Sequence, residues 1–252
     1  MSIDKTAFEK NVERWQQAEP VELNANFHAL KSQGDKTKKK DVVDLNMQFE
    51  QVDSFTMTDD DLTELKKLDI HGMFLWMTLD KFDRKSFSFQ PILEIETESG
   101  EWHYFGFDGA PYTGFDDTQQ VPTPFVRNTR AVWRQMNTDN IANMFINEDV
   151  TGAKRVRYFM FQDPGLGQIK GLLPDTTLFQ IFPGIDLNKE TQADDVLFVP
   201  IVHLAVPELA NTVLANAHDD HLHGFGWSVN DNIDDNIYFD YTRPCPPVCN
   251  NH

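Results

Sequence analysis

The stretch from Gly72 to Asp108 constrains the fold most. Met73 to Leu79 is a continuous apolar run, consistent with a buried strand. From Phe87 the period becomes two. Phe87, Phe89, Pro91, Leu93 and Ile95 share one face, and Ser86, Ser88, Gln90, Glu94 and Glu96 mostly take the other. Glu98-Ser99-Gly100-Glu101 has turn composition, and Trp102 to Phe107 returns. The pattern predicts an antiparallel meander over residues 72–108.

Helices flank it. Phe8, Val12 and Trp15 recur at helical spacing, which predicts an amphipathic helix over residues 4–18, with Thr6 and Glu9 as a capping box and Pro20 closing it. Thr58 caps a short helix whose first turn is Asp59-Asp60-Asp61 and whose apolar side is Leu62, Leu65 and Leu68. Residues 109–125, rich in Gly and Pro, read as a long loop. Arg127–Met136 and Thr138–Ile146 look helical, and Arg155–Gln162, Leu178–Phe182 and Val196–Leu204 look like strands. Pro183 and Pro200 mark ends, edges or bulges there. Pro207–Ala217 reads as a helix, Phe225–Val229 and Ile237–Tyr241 as strands, and Pro244 onward as a tail. The expectation is an α+β fold, a mainly antiparallel sheet with flanking helices. It forms one domain over 1–243, with a candidate sub-boundary in the loop 109–125 and a Cys/Pro tail over 244–252.

Charge narrows the partners. The net charge is −18, which disfavours nucleic acid and anionic membrane surfaces, whose recognition rests on Lys and Arg. No apolar run is long enough to span a bilayer, and the N-terminus lacks a secretory apolar core, so the expected location is the cytoplasm. Residues 171–252 hold only Lys189 and Arg243 against twelve acidic residues, whereas the first fifty are nearly neutral. Lys36–Lys40 is a basic run that a solvated loop explains.

The sharpest motif is His218-Asp219-Asp220-His221-Leu222-His223-Gly224. On a strand, His221 and His223 aim the same way, and imidazole with carboxylate binds divalent metals. The candidate metal set is His221, His223, His203 and Asp220, with His103 as the alternative distant ligand. The competing reading is a wet helix-end loop closed by Gly224. Cys245 and Cys249 flank two prolines. In polyproline form their Cα atoms stand about 12 Å apart, too far for a disulfide without a bend. Asp163-Pro164-Gly165-Leu166-Gly167 compares with a dinucleotide loop, but its third glycine, Gly171, comes late, and Asp163 capping a helix explains it. Asn230–Asn236 lacks the glycine and closing glutamate of a calcium loop. Trp102, Tyr104, Phe105, Phe107, Tyr112 and Phe115 form an aromatic set that serves either as core or as a platform for sugars and flat ligands.

Two functions follow as expectations. One is a soluble acidic binding or assembly protein engaging a protein or small-molecule partner. The other is a metal-dependent enzyme with a divalent ion near residues 218–223.

Overall fold

Asp4 starts the first helix. Its backbone is extended and its carboxylate accepts from the Ala7 N–H at 2.9 Å, capping α1 (Lys5–Gln17). That geometry puts Thr6 inside the first turn, so Thr6 is not the cap. Phe8, Val12 and Trp15 are the buried stripe, as their spacing requires. Pro20 does not close the segment. It opens α2 (Pro20–Asn26), where its missing N–H is no loss. The protein is seen in a computed structural model that describes residues 3–30, 49–112, 124–136, 141–149, 152–187, 196–206, 236–239 and 242–245.

After β1 (His28–Leu30) and β2 (Phe49–Thr56), Thr58 Oγ1 accepts from Asp61 N at 3.2 Å and caps α3 (Asp59–Leu65). The meander follows as β3 (Ile70–Trp76), β4 (Ile92–Thr97) and β5 (Trp102–Gly106). Gly100 takes φ +81° in the β4–β5 turn, a conformation that glycine adopts at little cost. The strand expected from Phe87 begins only at Ile92, and before it a single bridge joins Leu79 to Phe89.

The loop after Phe107 contributes β6 (Asp108–Pro111), and α4 (Pro124–Gln135) comes next. The second helix expected there is a 3₁₀ turn, Ile141–Phe145, running into the hairpin β7 (Ile146–Asp149) and β8 (Gly152–Arg155). β9 (Tyr158–Phe161), α5 (Gly165–Leu172), β10 (Leu178–Ile185), β11 (Phe198–Ala205), β12 (Asn236–Phe239) and β13 (Thr242–Cys245) complete the described elements. β13 carries the ordered backbone through Pro244 and Cys245, into the stretch read as tail.

The strands form two large sheets rather than one. Five run in the order β13-β9-β3-β4-β5. Six run β1-β2-β10-β11-β12, with β6 also on β2, and every pairing is antiparallel. Met73, Leu75, Leu93, Ile95, Phe105 and Phe159 of the first sheet share one core with Val52, Phe55, Phe179, Ile181, Phe198 and Val202 of the second. The outer faces are roofed by helices. Phe8 and Val12 of α1 pack with Ile92 and Tyr104, and Val126 of α4 packs with Phe182, Val199 and Ile201. The fold is α+β, with antiparallel sheets and flanking helices.

Pro183 and Pro200 sit in mid-strand, directly opposite each other. An antiparallel ladder tolerates this when the pair is a non-hydrogen-bonded one, because each nitrogen then points to the far neighbour. Among the described residues neither proline faces a paired neighbour on its far side: β2 pairs with Gln180 and Ile181, and β12 with Val202 to Ala205.

Asp53 lies where the β2–β6 register slips between Val52 and Ser54. The slip helps aim its carboxylate at Arg130, 3.0 Å away, and at Arg134, 2.6 Å away. Arg130 and Asp53 are 3% and 8% exposed, so this is a buried pair, and removing one partner leaves charge in a dry site. Asp53→Asn is expected to destabilise the fold by about 3 kcal/mol, read as a lowered urea midpoint with unchanged slope.

Candidate functional site

β5 is the terminal strand of its sheet, and the chain's first described residues lie along its edge. Ile3 N–H donates to Tyr104 O at 3.0 Å. Gly106 permits this closeness, since a Cβ there would stand 2.9 Å from Ile3 Cδ1. Between this segment, β5 and the end of α3 runs a cleft of about 480 Å³. It is lined by Ile3 and Lys5, by Glu64 and Leu68, and by Trp102 to Phe105. That volume lies within the roughly 300–1,000 Å³ typical of small-molecule sites.

Alternation along β5 sorts its side chains. Phe105 is core, so His103 faces the same side, toward α3, while Trp102 and Tyr104 take the outer face. Trp102 is 43% exposed. The His103 Nε2 is buried and has no hydrogen-bond partner among the described residues. The two charged side chains are held loosely: Lys5 lies 4.0 Å from Glu9, and Glu64 lies 2.6 Å from Lys67, all mostly in water.

Behind Tyr104 is a buried carboxylate. Glu94 is opposite Tyr104 in the β4–β5 register and is 8% exposed. Its place on the polar side of the alternation is as read, but that side is not solvent, because α1 covers it. Phe8 stacks on Tyr104 at 4.4 Å and meets Trp76 edge-on at 5.4 Å. Glu94 Oε2 accepts from Trp76 Nε1 at 2.6 Å, and Tyr104 also bonds to it. Burial raises the Glu94 pKa above the usual carboxylate range. The bonds from Trp76 and Tyr104 act the other way, Glu96 raises it and Lys5 lowers it. Burial, with the charge and bond of Glu94, pushes the Tyr104 phenol up to about 12.

A wider groove of about 580 Å³ lies beside Arg14, Asn26, Asp80 and Phe82. Its polar groups already serve one another: Arg14 bonds Asn11 and pairs with Asp80 at 3.8 Å, and Asn26 donates to Glu22 O. The glycine-bearing α5 starts at Gly165 with Pro164 at its cap and no side-chain bond, so Asp163 does not cap it. Gly165 and Leu166 are buried there, with Leu166 in the core, so the helix start does not open onto a phosphate cradle.

Of the metal candidates, His221, His223 and Asp220 lie outside the described residues, as do Lys36–Lys40, Asn230–Asp235, Phe115, Cys249 and the stretches 207–217 and 225–229. His203 is on β11 and 6% exposed. Its Nδ1 is 3.1 Å from Gln180 Oε1, and its ring stacks on Phe182 at 5.5 Å. His103 belongs to the other sheet. Among the described residues no three His, Cys, Asp or Glu side chains converge on one point, and no helix is long and apolar enough to cross a membrane. Comparison with family models, curated proteins and solved structures finds no match for the chain.

The aromatic set contained part of the cleft: Trp102, Tyr104 and Phe105 line it, while Phe107 is core and Tyr112 lies under Arg134 at 4.0 Å. Lys5 and Glu64 gave no signal in the sequence, since only the fold brings α1, α3 and β5 together.

Because its folded-state pKa is raised, Glu94 holds a proton more tightly in the native protein than in the unfolded chain. Its contribution to stability is complete below the unfolded value and is lost as pH rises through the folded one. Glu94→Gln is therefore expected to flatten the fall in stability between the ordinary carboxylate range and neutrality, measured by urea unfolding at a series of pH values. An unchanged slope refutes the assignment.

Proposed function

We propose that this is a soluble, acidic cytoplasmic binding protein that holds a small molecule in the cleft at the β5 edge. The observation that carries the reading is the His103 Nε2. A buried polar atom left unbonded costs about 1–3 kcal/mol, and here it belongs to a residue lining a cleft with an exposed indole. Clefts with an apolar lining and a few polar groups are the common form of small-molecule sites. A ligand that reaches Nε2 and bonds to it relieves that cost.

NMR titration of the protein with a small-molecule fragment library tests this. Binders should shift the resonances of Trp102 and His103. His103→Leu removes the unbonded nitrogen, so the variant should keep or slightly gain stability while binding those compounds about tenfold more weakly, a loss of about 1.4 kcal/mol. A library whose binders all leave Trp102 and His103 unshifted counts against the cleft.

The second reading, a metal-dependent enzyme with a divalent ion near residues 218–223, gains support from His203. Its Nδ1 lies 3.1 Å from Gln180 Oε1, and metal-binding histidines are commonly oriented by a hydrogen bond at one ring nitrogen. Protein purified without chelator should then carry about one equivalent of divalent metal by elemental analysis, and His203→Gln should lower it. A clearly sub-stoichiometric content in the parent protein ends this reading.

A further inference from the structure

We infer that the first half of α1 is a clasp that closes over the five-stranded sheet while Glu94 holds a proton and loosens when it ionises. The device does not depend on what occupies the cleft. Two differently anchored halves make up the helix. The second half is pinned by main-chain and indole bonds: Asn11 O accepts from the Leu79 N–H at 3.1 Å, and Trp15 Nε1 donates to Val156 O at 2.7 Å. The first half is held by Phe8, which stacks on Tyr104 at 4.4 Å and meets Trp76 at 5.4 Å, and by the Ile3 N–H on Tyr104 O at 3.0 Å. Phe8 and Val12 belong with Ile92 and Tyr104 to a small cluster separate from the main core.

Glu94 lies beneath that cluster, and its hydrogen-bond partners are the same two side chains, Trp76 and Tyr104. A docked clasp therefore keeps the carboxyl dry, and an undocked one gives it water, which favours the charged form. Burial raises the Glu94 pKa. The bonds from Trp76 and Tyr104 and the charge of Lys5 on α1 lower it, Glu96 on β4 raises it further, and the balance is a raised value. Glu9 on α1 acts on Tyr104, and Arg157 acts on Tyr158 of β9. Because the docked pKa exceeds the exposed one, docking is complete below the exposed value and weakens as pH rises through the docked one. One proton limits the change to about tenfold per pH unit between the two. Ile3 and Lys5 line the cleft, so a loosened clasp also unmakes that part of its lining.

Amide hydrogen exchange of the full chain tests the clasp, followed by NMR between about pH 4 and pH 8 and corrected for the intrinsic pH dependence of exchange. Protection at Phe8 to Val12 should fall about tenfold as pH rises through that range, while protection at Trp15 to Gln17 holds. Glu94→Gln keeps an acceptor for Trp76 and removes the titration, so its protection at Phe8 to Val12 should not change with pH. Tyr104→Phe deletes a bond to the carboxylate, so it should move the fall to higher pH, and it decides the matter should Glu94→Gln not fold. Protection at Phe8 to Val12 that is independent of pH in the parent overturns the clasp, as does equal loss in both halves. A fall that survives Glu94→Gln, or that stays at the same pH in Tyr104→Phe, overturns it too.

Discussion

Two buried indoles hold the architecture together. Trp15 donates Nε1–H to Val156 O at 2.7 Å, and Trp133 donates to Val52 O at 2.8 Å, both with no exposed surface. A buried indole needs such a partner, since its N–H otherwise loses water for nothing. The two bonds fix where the roofing helices enter the core. Trp15 ties α1 to the β8–β9 connection, and Trp133 ties α4 to β2. Around them Phe27, Phe89, Phe145 and Phe198 close one aromatic cluster, with Phe145 stacked on Phe198 at 4.3 Å. The cluster draws residues from both sheets' surroundings, so the sheets cannot shift without breaking it.

The anchoring of α1 has a consequence at its other end. With Trp15 in the core, the first half of the helix must lie over the outer face of the five-stranded sheet. Phe8 then covers Trp76 and Tyr104, and Glu94 is trapped beneath. The same placement carries Lys5 to the edge of β5 and lets Ile3 bond to Tyr104. The buried acid and the cleft are thus two results of one helix position. They share Tyr104, whose ring lines the cleft and whose hydroxyl serves Glu94.

Period and caps made much of the fold legible. The meander from Ile70 to Gly106, the α1 stripe and the Thr58 cap are local patterns, and local physics decides them. Reading failed where a remote element set the environment. Glu94 alternates correctly yet is buried, because α1 (Lys5–Gln17), remote in the chain, covers it. Prolines normally mark an edge, yet Pro183 and Pro200 face each other in mid-strand, outside the described pairings with β2 and β12. Ile141–Phe145 was expected as helix, but its apolar residues fill the main core as a 3₁₀ turn. The cleft was half visible in Trp102, Tyr104 and Phe105. Its charged walls were not, since Lys5 and Glu64 are ordinary helix residues until the chain is folded.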